Sequence, residues 1–375
     1  MYIRLFMRLR LVTVPTLVIT MLMLILPAIA NAHEGSFYRQ TNLVSNIRGI
    51  AKFTDPNLIN PWGIAFGPNT PFWVADNGAG VATTYKRNGT PQALVVTVPP
   101  PKGKMPPAAP TGIVFNSTDN FVVSKNGQSD PALFIFATED GTISGWNPNV
   151  DRTSAILEVN NSNTGTGPVY KGLANGRDQG RDLLFATNFR FGRVDVFDSK
   201  FKLVSFFTDH KVPSGFAPFG IRNINGLLYV TFAKQDAAKH DDVAGTGNGF
   251  VDVFNTDGHL IKRLISHGVL NSPWGLTLTP SDFGRFSNTL LVGNFGDSTI
   301  NAFDPHNGDF LGTLKDKDGH ALGRDGNPPR SKGLWGLTFG NGAQADDRNT
   351  LFFTSGINDE VDGLFGTIEP ENSNR

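Results

Sequence analysis

The chain has 375 residues, with 33 basic and 33 acidic side chains and no cysteine, so it is longer than a usual domain of about 100–200 residues and carries no disulfide or thiol chemistry. Zero net charge removes the electrostatic basis for nucleic-acid recognition, which needs a basic patch or stripe. Forty-two glycines, 24 prolines and 30 phenylalanines describe short buried segments between many turns, and the 39% hydrophobic content excludes disorder.

At the N-terminus Arg4, Arg8 and Arg10 precede an uncharged run from Leu11 to Ala30, and LPAIANA (26–32) supplies the small residues of an A-x-A site. This pattern reads as a signal peptide over residues 1–32, cleaved after Ala32. A retained anchor is the alternative, since about twenty apolar residues can span a bilayer; Pro15 and Pro27 favour removal. No later apolar run reaches membrane length. The mature chain, 33–375, is therefore expected to be exported to the periplasm or the extracellular space, not to span a membrane, and to be a monomer.

A short motif then recurs as PWGI (61–64), PTGI (110–113), YKGL (170–173), PFGI (218–221), PWGL (273–276) and LWGL (334–337). Its glycines, Gly63, Gly112, Gly172, Gly220, Gly275 and Gly336, lie 48 to 61 residues apart. Each motif opens a series of strand-like runs. The second run is FWVAD (72–76), FVVSK (121–125), LLFAT (183–187), LLYVT (227–231), LLVGN (290–294) and LFFTS (351–355). Third runs follow, ending with GLFGTIE (363–369), and five repeats have a fourth. Asn88-Gly89, Asp257-Gly258 and Asn307-Gly308 mark tight turns between third and fourth runs.

Four antiparallel strands per repeat make the blade of a β-propeller, so the expected fold class is all-β, a six-bladed β-propeller over residues 33–375. The last repeat lacks its fourth strand, whereas TNLVSNI (41–47) is a strand without a repeat; the two are expected to pair and close the ring. The motif glycines belong on the innermost strand, where a side chain would collide. Trp62, Trp274 and Trp335 precede three of them and are expected to pack between neighbouring blades, exposed binding aromatics being the sharper alternative.

The segments 42–67, 134–148, 234–254, 333–342 and 353–370 resemble an uncharacterised family of exported bacterial proteins, some of which carry a C-terminal PEP-type exosortase sorting signal. The resemblance covers nearly all of the mature chain and implies the propeller and export without naming an activity. This chain ends in ENSNR, without the PEP motif, apolar anchor or basic tail of the sorted members. More distantly, the repeats are similar to NHL-type and gluconolactonase-like six-bladed propellers, which include metal-dependent enzymes.

Chemistry is expected on the face where the second-to-third loops and the blade-to-blade connections open. Asp76, Asn77, Asn188, Asn294, Asp297, Asn358 and Asp359 lie in those loops, with Asn126 a weaker member. A ring of their oxygens could hold calcium or another divalent metal, which in the lactonase-like analogy would polarise a substrate carbonyl. The alternative is that Asn and Asp simply shape turns. Blade four carries an insertion, AKQDAAKHDDVAGTGNG (233–249), that concentrates Lys234, Gln235, Asp236, His240, Asp241 and Asp242. These are the ligand-binding candidates: His beside carboxylates suits metal ligation or acid–base work, and a solvated lid is the alternative. Proline-rich stretches at 99–110 and 323–333 are expected to rim the same face. Two readings of function follow. One is a module binding a small molecule or an envelope or extracellular protein; the other is a metal-dependent hydrolase or lyase at the channel mouth. No G-x-S-x-G nucleophile elbow is present.

Overall fold

The computed structural model describes residues 37–163, 166–323, 332–342 and 348–371; the expected signal peptide at 1–32 lies outside them. Among the described residues, six sheets, each built on four antiparallel strands, form the six-bladed propeller anticipated above. Counted outward from the axis, blade 1 contains Pro61–Ala65, Phe72–Asp76, Val81–Tyr85 and Pro91–Thr97, and blade 2 contains Pro110–Phe115, Phe134–Thr138, Thr142–Trp146 and Ile156–Asn160. Blade 3 opens with Tyr170–Asp178, blade 4 with Phe216–Ile224, blade 5 with Pro273–Leu278 and blade 6 with Leu334–Phe339. No helix among the described residues is long and apolar enough to cross a membrane.

Ring closure follows the expected pairing. Phe37–Ser45 runs antiparallel to Asp362–Glu371, with Thr41 opposite Thr367 and Ser45 opposite Leu364. The outermost strand of blade 6 thus comes from the start of the propeller and its inner three from the end. Phe53–Thr54 adds a short parallel fifth strand to that sheet.

Middle strands are buried on both faces because each blade is covered by its two neighbours. Phe72–Asp76 and Phe134–Thr138 are buried along their whole lengths, whereas the outer strand Leu203–Phe207 is almost wholly exposed. The interface between blades 1 and 2 is built by Trp73 against Phe134 at 4.2 Å and Trp146 at 4.6 Å. Each such fully buried large side chain contributes about 1.5–3 kcal/mol.

In blade 2 the strand order differs from the sequence reading. FVVSK (121–125) is not the second strand; Val122–Lys125 pairs with Gln128–Pro131 in an extra hairpin. The second strand is Phe134–Thr138, paired with both Pro110–Phe115 and Thr142–Trp146. The reason is burial: FIFAT can fill the space between two blades, whereas Val122, Ser124 and Lys125 are exposed. Asn126 accordingly sits at the tip of this hairpin, with φ 54°, and not in the second-to-third loop.

The motif glycines make the ring physically possible. A β-carbon on Gly220 would lie 2.1 Å from the Trp274 carbonyl oxygen, on Gly275 2.3 Å from that of Trp335, and on Gly336 2.6 Å from that of Trp62. Each innermost strand therefore leans on the next through a position where only hydrogen fits. The tryptophans are buried, but they meet at the axis instead of in the blade interfaces. Trp62 stacks on Trp335 at 3.5 Å, and Trp274 stands edge-on to both at 5.9 and 5.7 Å. With Phe189, Phe219 and Phe295 they form an aromatic plug.

Candidate functional site

The residue before each motif glycine is buried, and four of the six belong to this central ring. Five of the six positions carry Trp62, Thr111, Phe219, Trp274 and Trp335; the sixth is Lys171, whose side chain is only 2% exposed. An ammonium buried among rings needs compensation. Lys171 Nζ lies 5.2 Å from the Trp62 ring and 5.9 Å from Phe189, and it donates to Glu139 Oε1 and, at 3.1 Å, to Asp241 Oδ1. Burial pulls its pKa down, but the Glu139 and Asp241 carboxylates outweigh this and hold it above the ordinary lysine value. Its carbonyl accepts from Trp274 Nε1 at 2.9 Å.

Glu139 follows the second strand of blade 2, the place Asn77 holds in blade 1. Asn77 Nδ2 donates to Glu139 Oε2 at 2.9 Å. Asn60 extends the network: its Nδ2 donates to Glu360 Oε1 at 3.0 Å, and its Oδ1 accepts from Trp335 Nε1 at 3.1 Å. Burial, reinforced by the charge of Glu139, pushes the Glu360 carboxyl up to about 7.

The blade-four insertion folds over this network. Asp236 Oδ1 accepts from the His240 backbone N–H at 2.8 Å, which turns the chain back and presents His240 and Asp241. His240 Nδ1 meets Asp241 Oδ1 at 2.9 Å. That bond raises the His240 pKa above its usual value and holds the Asp241 carboxyl well below the usual carboxylate range. Asp242 is displaced by burial in the opposite direction, and its Oδ2 is buried with no partner among the described residues.

Beside this cluster lies a cleft of about 650 Å³ lined by Glu139, Asp140, Arg190 and His240, with Lys102 and Met105 of the proline-rich stretch on its rim. Asp140 Oδ2 accepts from the Ala109 N–H at 2.9 Å, and burial raises its carboxyl above the ordinary value. Arg190 donates from Nη1 to the Gly167 carbonyl at 3.1 Å, while its Nε is buried with no partner among the described residues. The cleft therefore presents both signs of charge within one wall. The second proline-rich stretch lies mostly outside the described residues.

Of the insertion candidates, the structure brings His240 and Asp241 into the cluster and Asp242 to its edge. Asp236 serves the loop, and the Lys234 side chain is exposed. The Asn/Asp candidates do not converge. Asp76 Oδ2 accepts from Thr83 Oγ1 at 2.8 Å, Asn188 Nδ2 donates to Asp195 Oδ2 at 2.8 Å, and Asn294 Nδ2 donates to the Val269 carbonyl at 2.8 Å. Asp297 accepts from Thr299 Oγ1 at 2.7 Å, Asn358 donates to Asp362 Oδ2 at 2.9 Å, and Asp359 is exposed. Each binds within its own blade or to the connection beside it, as turn residues do; of these candidates Asn77 alone reaches the cluster.

Metal ligation can be tested on the side chains themselves. Glu139, His240 and Asp241 offer one ligand atom each, all within 4.8 Å of one another. Lys171 Nζ, however, already takes an oxygen of both carboxylates. The cluster as arranged does not fit a divalent cation, because a tethered ammonium supplies the positive charge there. A second group, Asp316, Asp318 and His320, lies on an exposed connection, where Asp316 Oδ1 closes the turn by accepting from the N–H groups of Asp318 and His320.

Sequence reasoning missed Glu139, Lys171, Glu360 and Asn60. Lys171 had a visible signal, a lone charge in a ring position that is otherwise aromatic or threonine. Glu139 was hidden by the misplaced second strand of blade 2. Glu360 and Asn60 had none, since both lie in irregular connections, with φ 67° and 47°.

No family model matches the chain. It is 35% identical over 333 residues to uncharacterized protein R648 of Acanthamoeba polyphaga mimivirus, covering 87% of this chain and 78% of that protein. It is 33% identical over 333 residues to uncharacterized protein L690 of the same virus, covering 87% and 84%. Among solved structures, a streptogramin B lyase superposes with a TM-score of 0.53 at 12% identity, covering 91% of this chain and 100% of that one. Virginiamycin B lyase from Staphylococcus aureus gives 0.51 at 13% identity, covering 89% and 99%. Identities this low show a shared fold.

Proposed function

We propose, for a chain that belongs to the same family as the mimivirus proteins R648 and L690, that the cleft beside the Lys171 cluster binds a small polar molecule. The observation that carries this reading is the convergence of Glu139 and Asp140 from blade 2, Arg190 from blade 3 and His240 from blade 4 on one cleft of about 650 Å³, a size that suits small ligands. Paired donors and acceptors in such a wall orient a hydrogen-bonding ligand, whereas a protein-docking patch would carry aromatic anchors at its centre. The signal-peptide pattern at 1–32 supports the reading that this binding takes place outside the cytoplasm.

A catalytic reading, a hydrolase or lyase, is favoured by one further observation. Asp241 engages His240 Nδ1 and so leaves Nε2 of a cleft-lining ring as the nitrogen for proton exchange with a ligand. With its pKa raised, His240 is suited to act as a general acid near neutral pH, and Lys171 holds Asp241, and through it the imidazole, in place. No metal is needed for this arrangement.

The two readings separate experimentally. A panel of neutral sugars, aldonolactones and small amino acids is screened against the wild type and His240→Ala by thermal shift, and hits are measured by calorimetry. Binding weakened at least tenfold by His240→Ala supports the cleft. A hit consumed by the wild type but only bound by the variant makes it catalytic. Hits that bind both proteins equally overturn the assignment.

A further inference from the structure

On the far side of the aromatic plug the axis holds a second space, a channel of about 320 Å³. Trp274 of the plug and four of the motif glycines form one end of this channel, and the residues that follow the glycines line the rest, among them Ile64, Phe66, Asn175, Arg222 and Thr338. It is therefore distinct from the cleft. Among the described residues, none that line it is acidic.

Arg222, two residues after Gly220, extends from blade 4 across this channel. Its Nη1 donates to the carbonyls of Leu276 at 3.1 Å and Leu337 at 2.5 Å, and its Nη2 donates to Thr338 Oγ1 at 3.0 Å. These contacts tie blade 4 to blades 5 and 6. They use three of the five guanidinium N–H groups; Nε–H and the second Nη2–H have no partner among the described residues. No carboxylate among the described residues forms an ion pair with Arg222. Burial lowers its pKa to about 10 with no acidic neighbour to raise it again, so the group remains charged at neutral pH. The amide nitrogens of Asn175 and Asn223 are committed to the carbonyls of Phe115 and Asn175.

A half-buried cation without a counter-charge is costly, and a guanidinium with an uncommitted edge matches the two oxygens of a carboxylate or phosphate. We infer that the axial channel is a binding site for a small oxyanion, held by Arg222 through Nε and Nη2. At roughly 30 Å³ per water molecule, the channel has room for an ion of phosphate or acetate size with some water and excludes bulky ligands.

The test uses the full propeller. Wild-type protein is co-crystallised with selenate, whose anomalous signal locates a tetrahedral oxyanion directly. A selenate peak within hydrogen-bond distance of Arg222 Nε or Nη2 is expected, and a channel without one overturns the proposal. In solution, melting temperatures are followed against phosphate and against acetate at constant ionic strength. The wild type should show a saturable rise that Arg222→Gln lacks, and the steeper curve identifies the preferred oxyanion. Equal rises in both proteins would reflect general salt exclusion and reduce Arg222 to a tie between blades. If Arg222→Gln fails to fold, the selenate peak alone decides.

Discussion

Lys171 Nζ donates to Asp241 Oδ1 at 3.1 Å, joining a side chain 2% exposed to one 67% exposed. The bond connects the innermost strand of blade 3 to the insertion of blade 4. A charge buried for structural reasons in the axial ring thereby fixes a loop on the surface, and with it His240. Through Glu139 the same ammonium reaches Asn77, Asn60 and Glu360 on blades 1 and 6.

Removing that charge should cost the protein stability. Lys171→Met leaves Glu139 without its cation in a partly buried place, and breaking such a pair from one side costs about 3–5 kcal/mol. The double variant Lys171→Met/Glu139→Gln should recover part of the loss. Urea denaturation measures both; a double variant less stable than Lys171→Met alone would contradict the pairing.

Docking of the insertion should depend on pH. His240 has a raised folded-state pKa, so its contribution is complete below the unfolded value of about 6.5 and is lost as pH rises through the folded value. Asp241 is depressed; its contribution is present above about 4 and is lost only in strong acid. Hydrogen exchange of amides 236–242, corrected for intrinsic rates, should show tighter closure at about pH 6 than at about pH 9. Asp241→Asn should abolish the difference.

Glu360 provides the opposite case for a carboxyl group. Its folded-state pKa of about 7 lies above the ordinary 4.5, so the folded state favours the protonated form and loses stability as pH rises through 7. Glu360→Gln keeps an acceptor for Asn60 and removes the charge. The variant should match the wild type at about pH 5 and exceed it by on the order of 2 kcal/mol at about pH 9. A constant difference across this range would show that the charge is not what matters.

Gly220→Ala should destabilise the ring by about 1–3 kcal/mol or more, because the added carbon meets the Trp274 backbone oxygen at 2.1 Å. Chemical denaturation compares it with Gly180→Ala, which has φ 82° but nothing near its β-carbon. The motif glycine should be the more sensitive site; the reverse order would remove the packing explanation.

The propeller was legible because its causes repeat. Six glycines at one position, alternating runs and hairpin dipeptides each report a local requirement, and the unmatched strand at 41–47 reported the closure. The site was only partly legible because its causes do not repeat. His240 and Asp241 stood out as an insertion in one blade. Glu139 and Lys171 occupy positions that in other blades hold plug aromatics, Phe189 or Trp62, so their chemistry depends on which neighbours the ring brings to the axis. The Asn and Asp residues of the loops misled for the complementary reason: Asp76, Asn188 and Asn294 do repeat, and they repeat because each ties down the backbone or side chains of a neighbouring turn or connection.

If this protein meets its ligand in the cleft between Glu139, Asp140, Arg190 and His240, small polar molecules should settle there. The most direct measurement is a crystallographic fragment screen of the propeller with small polar compounds. Fragments should collect in this cleft with hydrogen bonds to His240 and Asp140, and Asp140→Asn with His240→Ala should clear them while the propeller stays folded. A screen in which the cleft remains empty and fragments settle elsewhere would contradict the assignment.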